Sequence, residues 1–159
     1  MSFRPVYLDA SAILKLVRPE PESGALQELL AGWPDRLSAS IARVEVHRAL
    51  RRDHRPKADF ALADQVVDSL TLIRLDDLVL ARAAAFKNPL LRALDAIHLA
   101  AALSIGDDPE AFITYDARLA AAAAKERLIV WPPIPPSAPR PDSLSSRATR
   151  APGSRRLPR

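Results

Sequence analysis

Cysteine is missing from all 159 residues of the chain. Disulfides, thiolate zinc sites and a thiol nucleophile are thereby excluded, and the composition agrees with a reducing compartment. Glycine is scarce, with four residues, and no G-x-G-x-x-G follows the first apolar run, which argues against a dinucleotide-binding dehydrogenase. No apolar run approaches the roughly 18 residues that span a membrane. The first residues also lack the basic-then-apolar pattern of a secretory signal. The expectation is a soluble cytoplasmic protein without a membrane partner. Aromatic residues make up only 5%, so the core must come from alanine and aliphatic side chains, a composition that favours closely packed helices.

Charge of one sign is also in short supply over most of the chain. Residues 1–131 hold 17 Lys and Arg against 18 Asp and Glu, a net of −1. Residues 132–159 hold six Arg against one Asp, a net of +5, so the overall +4 belongs to the C-terminal segment. Eight of the 15 prolines also lie beyond Trp131. A Pro/Arg/Ser-rich stretch cannot bury enough apolar surface to offset its ordering entropy. The sequence therefore predicts one domain over residues 1–131 and a disordered tail over 132–159, whose arginines suit either weak RNA affinity or a spacer.

Within residues 1–131 short apolar runs alternate with helical patterns. Val6 to Asp9, Arg36 to Ser40, Leu72 to Leu75, "AFITYD" and "LIVW" read as strands. Ser11 to Val17, Glu22 to Ala31, Ile41 to Arg52, Lys57 to Leu70, Asp76 to Phe86, "LLRALDAIHLAAALSIGD" and "ARLAAAAAKER" read as helices, with Ser11 and Ser40 as expected N-caps. This alternation predicts an α/β fold with a parallel sheet covered on both faces.

Four acids stand in unusual places. Asp9 and Asp116 end apolar strands, where open α/β sheets bind ligands. Glu45 falls near Ile41 and Val44 on the helical wheel, and Asp95 sits in the apolar "RALDAIHLAAAL". A carboxylate in such surroundings is costly unless it is paired or binds a cation. Three of them also have a structural explanation: Asp9 and Asp116 as helix caps, Glu45 as a solvated acid paired with Arg48 at i+3; for Asp95 the alternative is an unpaired acid in an apolar helix. If the four converge, repulsion raises at least one pKa unless a cation intervenes. All-carboxylate donor sets suit Mg²⁺ or Mn²⁺. Such ions activate water and stabilise in-line phosphoryl displacement.

"LDASAILKL", a Glu some 35 residues later, "ALDAIHLAAAL" and "ITYDARL" together resemble the PIN-domain nucleases, above all the VapC-type toxins of bacterial toxin–antitoxin pairs. The resemblance covers residues 1–131. It implies a three-layer α/β/α fold with a central parallel sheet, Mg²⁺ or Mn²⁺ as cofactor, and endonucleolytic cleavage of RNA. It also implies a homodimer neutralised by a cognate antitoxin protein. On this resemblance Asp9, Glu45, Asp95 and Asp116 are the catalytic, metal-binding acids, with Ser11 and Thr114 as supporting hydroxyls. The Pro/Arg tail is outside the family pattern.

Other residues admit two readings. His98, three residues after Asp95, is either a general base or a packed, hydrogen-bonded histidine. Arg48, Arg51 and Arg52 form with Arg55 a basic helix face next to Glu45, suited to RNA phosphates or to solvent and protein contacts. Arg118 is placed either to touch a phosphate or to neutralise the acids. Apolar helices over 13–30 and 58–70 offer surfaces to a second copy or an antitoxin. A phosphatase with Asp9 as nucleophile is disfavoured because Ser11 stands where a second Asp belongs. The non-enzymatic alternative is an RNA- or protein-binding module of the same fold, which needs no clustered carboxylates.

Overall fold

A computed structural model describes residues 4–132; the tail expected over 132–159 lies almost wholly outside the described residues. Five parallel strands stand in the order β3-β2-β1-β4-β5. They are β1 (Val6–Leu8), β2 (Arg36–Ala39), β3 (Thr71–Ile73), β4 (Ala111–Ile113) and β5 (Val130–Trp131). The helices between them are α1 (Ala10–Val17), α2 (Ser23–Ala31), α3 (Ala42–Arg52), α4 (Lys57–Asp68), α5 (Asp77–Ala85), α6 (Ala93–Leu103) and α7 (Ala117–Lys125).

The strand order explains the layering. The chain builds outward from β1 to β3, then crosses back to β4 on the other side of β1. Parallel crossovers are almost always right-handed, so a reversal of direction moves the connecting helices to the opposite face. Accordingly α1 to α4 cover one face, where Val6, Leu8 and Ile113 meet Ile13, Leu26, Val46 and Val67. The helices α5 to α7 cover the other, where Tyr7 and Phe112 meet Val79, Leu99 and Leu119. Successive strand residues point to opposite faces, and Val6-Tyr7-Leu8, wholly buried, serves both layers. The expected α/β/α architecture is the observed one. Tyr7 stacks on Phe112 with ring centroids 5.1 Å apart and planes at 5°, a pair worth about 0.5–1.5 kcal/mol beyond its burial.

Several local expectations change. Asp9, not Ser11, caps α1: its Oδ1 accepts from the Ala12 amide at 2.9 Å. Ser11 falls inside the first turn, which frees its hydroxyl for other work. Ser40 does not cap α3, whose N-cap is Ile41 without a side-chain bond. The buried face of α3 is Ala42, Val46, Ala49 and Leu50, so Val44 is exposed and Glu45 sits at the edge of the apolar stripe. The apolar residues over 13–30 are mostly spent on the core, with Ile13, Val17, Leu26 and Leu30 buried. Exposed aliphatics lie chiefly on and around α5 and α6 instead, at Leu78, Leu80, Leu90 and Leu94.

Candidate active site

The sheet order reverses between β1 and β4, and the crevice at their carboxyl ends is where such sheets bind ligands. The register pairs Leu8 with Ile113, so the next residues, Asp9 and Thr114, emerge side by side. Asp9 is 4% exposed. Its Oδ1 accepts from Ser11 Oγ at 2.6 Å as well as from the Ala12 amide, and its Oδ2 accepts from Thr114 Oγ1 at 2.7 Å. Ser11 Oγ in turn accepts from the Tyr115 amide at 2.8 Å, and Thr114 Oγ1 from the Asp116 amide at 3.1 Å. The two hydroxyls thus relay the backbone after β4 onto the carboxylate after β1. Burial pushes the Asp9 pKa up, and the His98 charge and these donors only partly offset it.

Asp116 caps α7. Its Oδ1 accepts from the amides of Arg118 and Leu119 at 2.8 and 3.0 Å, and Oδ2 takes no hydrogen bond among the described residues. Cap and ligand roles are therefore compatible through different oxygens. The N-termini of α1 and α7 both open at this edge, where their dipoles favour negative charge.

Asp95 comes from the first turn of α6, on the opposite side of the crevice from α1. Its Oδ2 is buried and has no hydrogen-bond partner among the described residues. Burial raises its pKa first, and the charges of Asp116 and Asp9 raise it further. The charges of two of the other acids thus act on Asp95. Glu45 arrives differently: its Oε2 lies 2.6 Å from His98 Nε2. The pairing with Arg48 expected from i+3 spacing is not made. His98 Nδ1 lies 2.8 Å from the Tyr7 hydroxyl, so His98 is hydrogen-bonded at both nitrogens and 2% exposed.

The donor set is suited in kind to a hard cation: four carboxylates, one of them with an orphaned buried oxygen. Among the described residues no three Asp, Glu, His or Cys side chains are already gathered as direct ligands of one ion. A groove of about 630 Å³ beside β3 and α5, between Leu72, Asp76, Leu78 and Arg82, contains none of Asp9, Glu45, Asp95 and Asp116; charge, not concavity, marks the site.

The basic residues divide. Arg51 lies over the Phe60 ring, 5.3 Å from its centroid, and Arg52 faces Asp53 at 3.4 Å. Arg55 pairs with Asp59 at 2.6 Å. Arg48 and Arg118 are exposed and have no side-chain partner among the described residues. Arg118 thus makes no direct ion pair with the acids among the described residues. The pairing of Glu45 with His98 was the relationship missed in sequence, because 53 residues separate the two.

A parallel sheet in this order, with Asp9 and Asp116 beyond two strand ends at its switch point and the charges of both acting on Asp95 of α6, defines an α/β/α domain with an acidic carboxyl edge. The family model described as PIN domain matches residues 6–125, and the chain belongs to the PIN-domain family. Within it the chain belongs with the VapC ribonucleases. It is 44% identical to Ribonuclease VapC46 of Mycobacterium tuberculosis over 118 residues, which are 74% of this chain and 89% of that protein. It is 37% identical to Ribonuclease VapC35 of the same organism over 132 residues, covering 80% and 96%. The crystal structure of Mycobacterium tuberculosis VapC20, titled a Sarcin-Ricin loop cleaving toxin, superposes with a TM-score of 0.61 at 17% identity. It covers 74% of this chain and 94% of that one, a likeness that supports the fold.

Proposed function

We propose that this chain is a metal-dependent endoribonuclease of the VapC toxin type, hydrolysing RNA phosphodiester bonds at the Asp9–Asp95–Asp116 crevice. The carrying observation is Asp95, whose orphaned Oδ2 and raised pKa mark a carboxylate built for something other than folding. The family relationship agrees: the relatives are named ribonucleases. A binding module of the same fold has no use for acids that repel one another in this way.

Asp9, Asp95, Asp116 and Glu45 would hold Mg²⁺ or Mn²⁺. Such an ion supplies charge stabilisation to the phosphoryl transition state and makes water a better nucleophile. The rest falls to the protein. Ser11 and Thr114 fix the Asp9 carboxylate so that it does not rotate. The amides of α7 fix Asp116 through one oxygen and leave the other turned over to ligand. Asp95, with an oxygen that takes no hydrogen bond among the described residues, is the acid suited to take the proton of the attacking water, and solvent supplies a proton to the leaving 3′ oxygen. Water adds to phosphorus as the bond to the 3′ oxygen breaks, and the products carry 5′-phosphate and 3′-hydroxyl ends.

Arg48 and Arg118 are the cations free to meet RNA phosphates; Arg51 and Arg52 add to the field at the end of α3. The catalytic unit in this reading is residues 1–131, with 132–159 outside it. A cognate antitoxin protein and a second copy of the chain are the proposed protein partners, and the cytoplasm the compartment; no helix among the described residues is long and apolar enough to cross a membrane. The test is cleavage of total RNA by purified protein with Mg²⁺, with Mn²⁺ and with EDTA, beside Asp95→Asn. Discrete metal-dependent fragments with 5′-phosphate ends, absent in the variant, are expected. Cleavage that persists in EDTA, 2′,3′-cyclic phosphate ends, or no cleavage by folded, inhibitor-free protein would sink the reading.

A further inference from the structure

We infer that His98 is a positioning residue, anchored by Tyr7, whose task is to hold the Glu45 carboxylate at the acid crevice; this rests on the reading that Glu45 belongs to that site. Glu45 has the longest side chain of the four acids. It stands at the edge of the apolar stripe of α3, on a side chain with three rotatable bonds, and neither oxygen caps a helix. Its one side-chain bond is to His98 Nε2, at 2.6 Å, through Oε2. Oε1 takes no hydrogen bond among the described residues and is left for a ligand.

His98 itself has little freedom. The ring is buried, its Nδ1 is 2.8 Å from the Tyr7 hydroxyl, and it meets the Tyr7 ring edge-on at 5.9 Å and 79°. Tyr7 is fixed in β1 and stacked on Phe112 of β4. A continuous line of contact therefore runs from the two central strands through Tyr7 and His98 to an acid on α3. The direction of the last bond does not depend on the protonation of the ring. A carboxylate only accepts, so Nε2 must carry the hydrogen. In the neutral ring Nδ1 then accepts from the Tyr7 hydroxyl; in the charged ring Nδ1 donates to it. Both states leave Nε2 donating to Glu45.

The arrangement also gives a reason for the spacing in "DAIH". Asp95 and His98 lie one turn apart on α6, so a single helix delivers one acid directly and fixes another that α3 supplies. Partners behind the ligands of a metal site orient them and typically carry 10–100-fold in affinity or activity.

The test is Mn²⁺ binding to the full chain without RNA, followed by electron paramagnetic resonance, with RNA cleavage measured in parallel and thermal melting as the control for folding. His98→Gln keeps an N–H donor on a side chain of comparable length, and His98→Met removes it. His98→Met is expected to weaken Mn²⁺ binding by about 10–100-fold, and His98→Gln to retain most of the wild-type affinity. Tyr7→Phe, which keeps the ring and loses the hydroxyl, falls between. In the Glu45→Gln background His98→Met adds no further loss, because the two act through one interaction. Equal losses in the Gln and Met variants, or additive losses with Glu45→Gln, would overturn the proposal while leaving the acid site in place. Glu45→Gln binding Mn²⁺ like the wild type would remove Glu45 from the site, and the role of His98 with it, whatever cleavage shows.

Discussion

Thr114 Oγ1 donates to Asp9 Oδ2 at 2.7 Å across 105 residues of sequence. The contact exists because β1 and β4 are neighbours in register and each ends one residue before its polar side chain. Both partners are buried, so neither has water as an alternative. Ser11 does the same for the other oxygen, and the two hydroxyls lie 3.4 Å apart. A carboxylate clamped on both oxygens keeps one orientation, which is what a ligand site needs before its ligand arrives.

Replacing Thr114 by Val preserves shape and deletes that donor. A buried acceptor that loses its partner typically costs about 1–3 kcal/mol, and chemical denaturation at pH 7 should show a loss of this order. The Thr114 bond holds the Asp9 pKa down against burial, so its removal moves that pKa further up. The deficit should therefore shrink as pH falls and Asp9 takes a proton. Denaturation curves at several pH values check this; a deficit independent of pH would mean that the hydroxyl matters only for packing.

Asp95 should make the opposite trade. Its pKa in the folded chain is raised from 3.8 by burial and by the charges of Asp116 and Asp9, so the folded state binds the proton more tightly than the unfolded one. Linkage then makes the ionised group destabilising. The cost is absent below about pH 3.8, grows as pH rises toward the folded pKa, and is fully present above it. Asp95→Asn removes it, and should stabilise the protein near neutrality while abolishing cleavage, as substitutions at strained functional sites often do. Its advantage over wild type should vanish under acid conditions. Mn²⁺ should raise the melting temperature of the wild type, because a ligand of the native state stabilises it, and should do so far less in the variant. A variant less stable than wild type at pH 7 would mean that Asp95 has a structural partner after all.

Much of this was legible in the chain itself, for a physical reason. Buried parallel strands read as short apolar runs, so Val6 to Leu8 and Ala111 to Ile113 announced themselves, and Asp9, straight after the first, and Asp116, three residues after the second, fall at the carboxyl edge. Asp95 stood out because an acid amid Leu94, Ile97 and Leu99 has no cheap place to go. What was not legible depends on three-dimensional neighbours. Ser11 looked like a cap because serine favours that position, yet Asp9, two residues earlier, makes the capping bond and leaves Ser11 for the site. The one side-chain partner that local spacing offered Glu45 was Arg48, since such spacing reveals only local partners; its partner is on α6. The helical wheel put Val44 on the buried side of α3, but the face is set by what packs against it, and Ala42, Val46 and Ala49 won.

Asp116 holds two roles that two substitutions can separate. Through Oδ1 it satisfies the amides of Arg118 and Leu119 at the start of α7, a cap whose loss typically costs about 0.5–2 kcal/mol. Asp116→Ala should show that loss in thermal or chemical denaturation. Asp116→Asn keeps a carbonyl oxygen where Oδ1 stands, and asparagine caps as well as aspartate, so the fold should hold nearly its full stability. The negative charge is gone in both, along with the carboxylate oxygen that makes no capping bond. If Asp116 serves the ion as well as the helix, the two variants should lose RNA cleavage alike although only the alanine variant loses stability. If cleavage instead follows stability, with Asp116→Asn active, then the strand-end acid after β4 is a helix cap, and the site narrows to Asp9, Asp95 and Glu45.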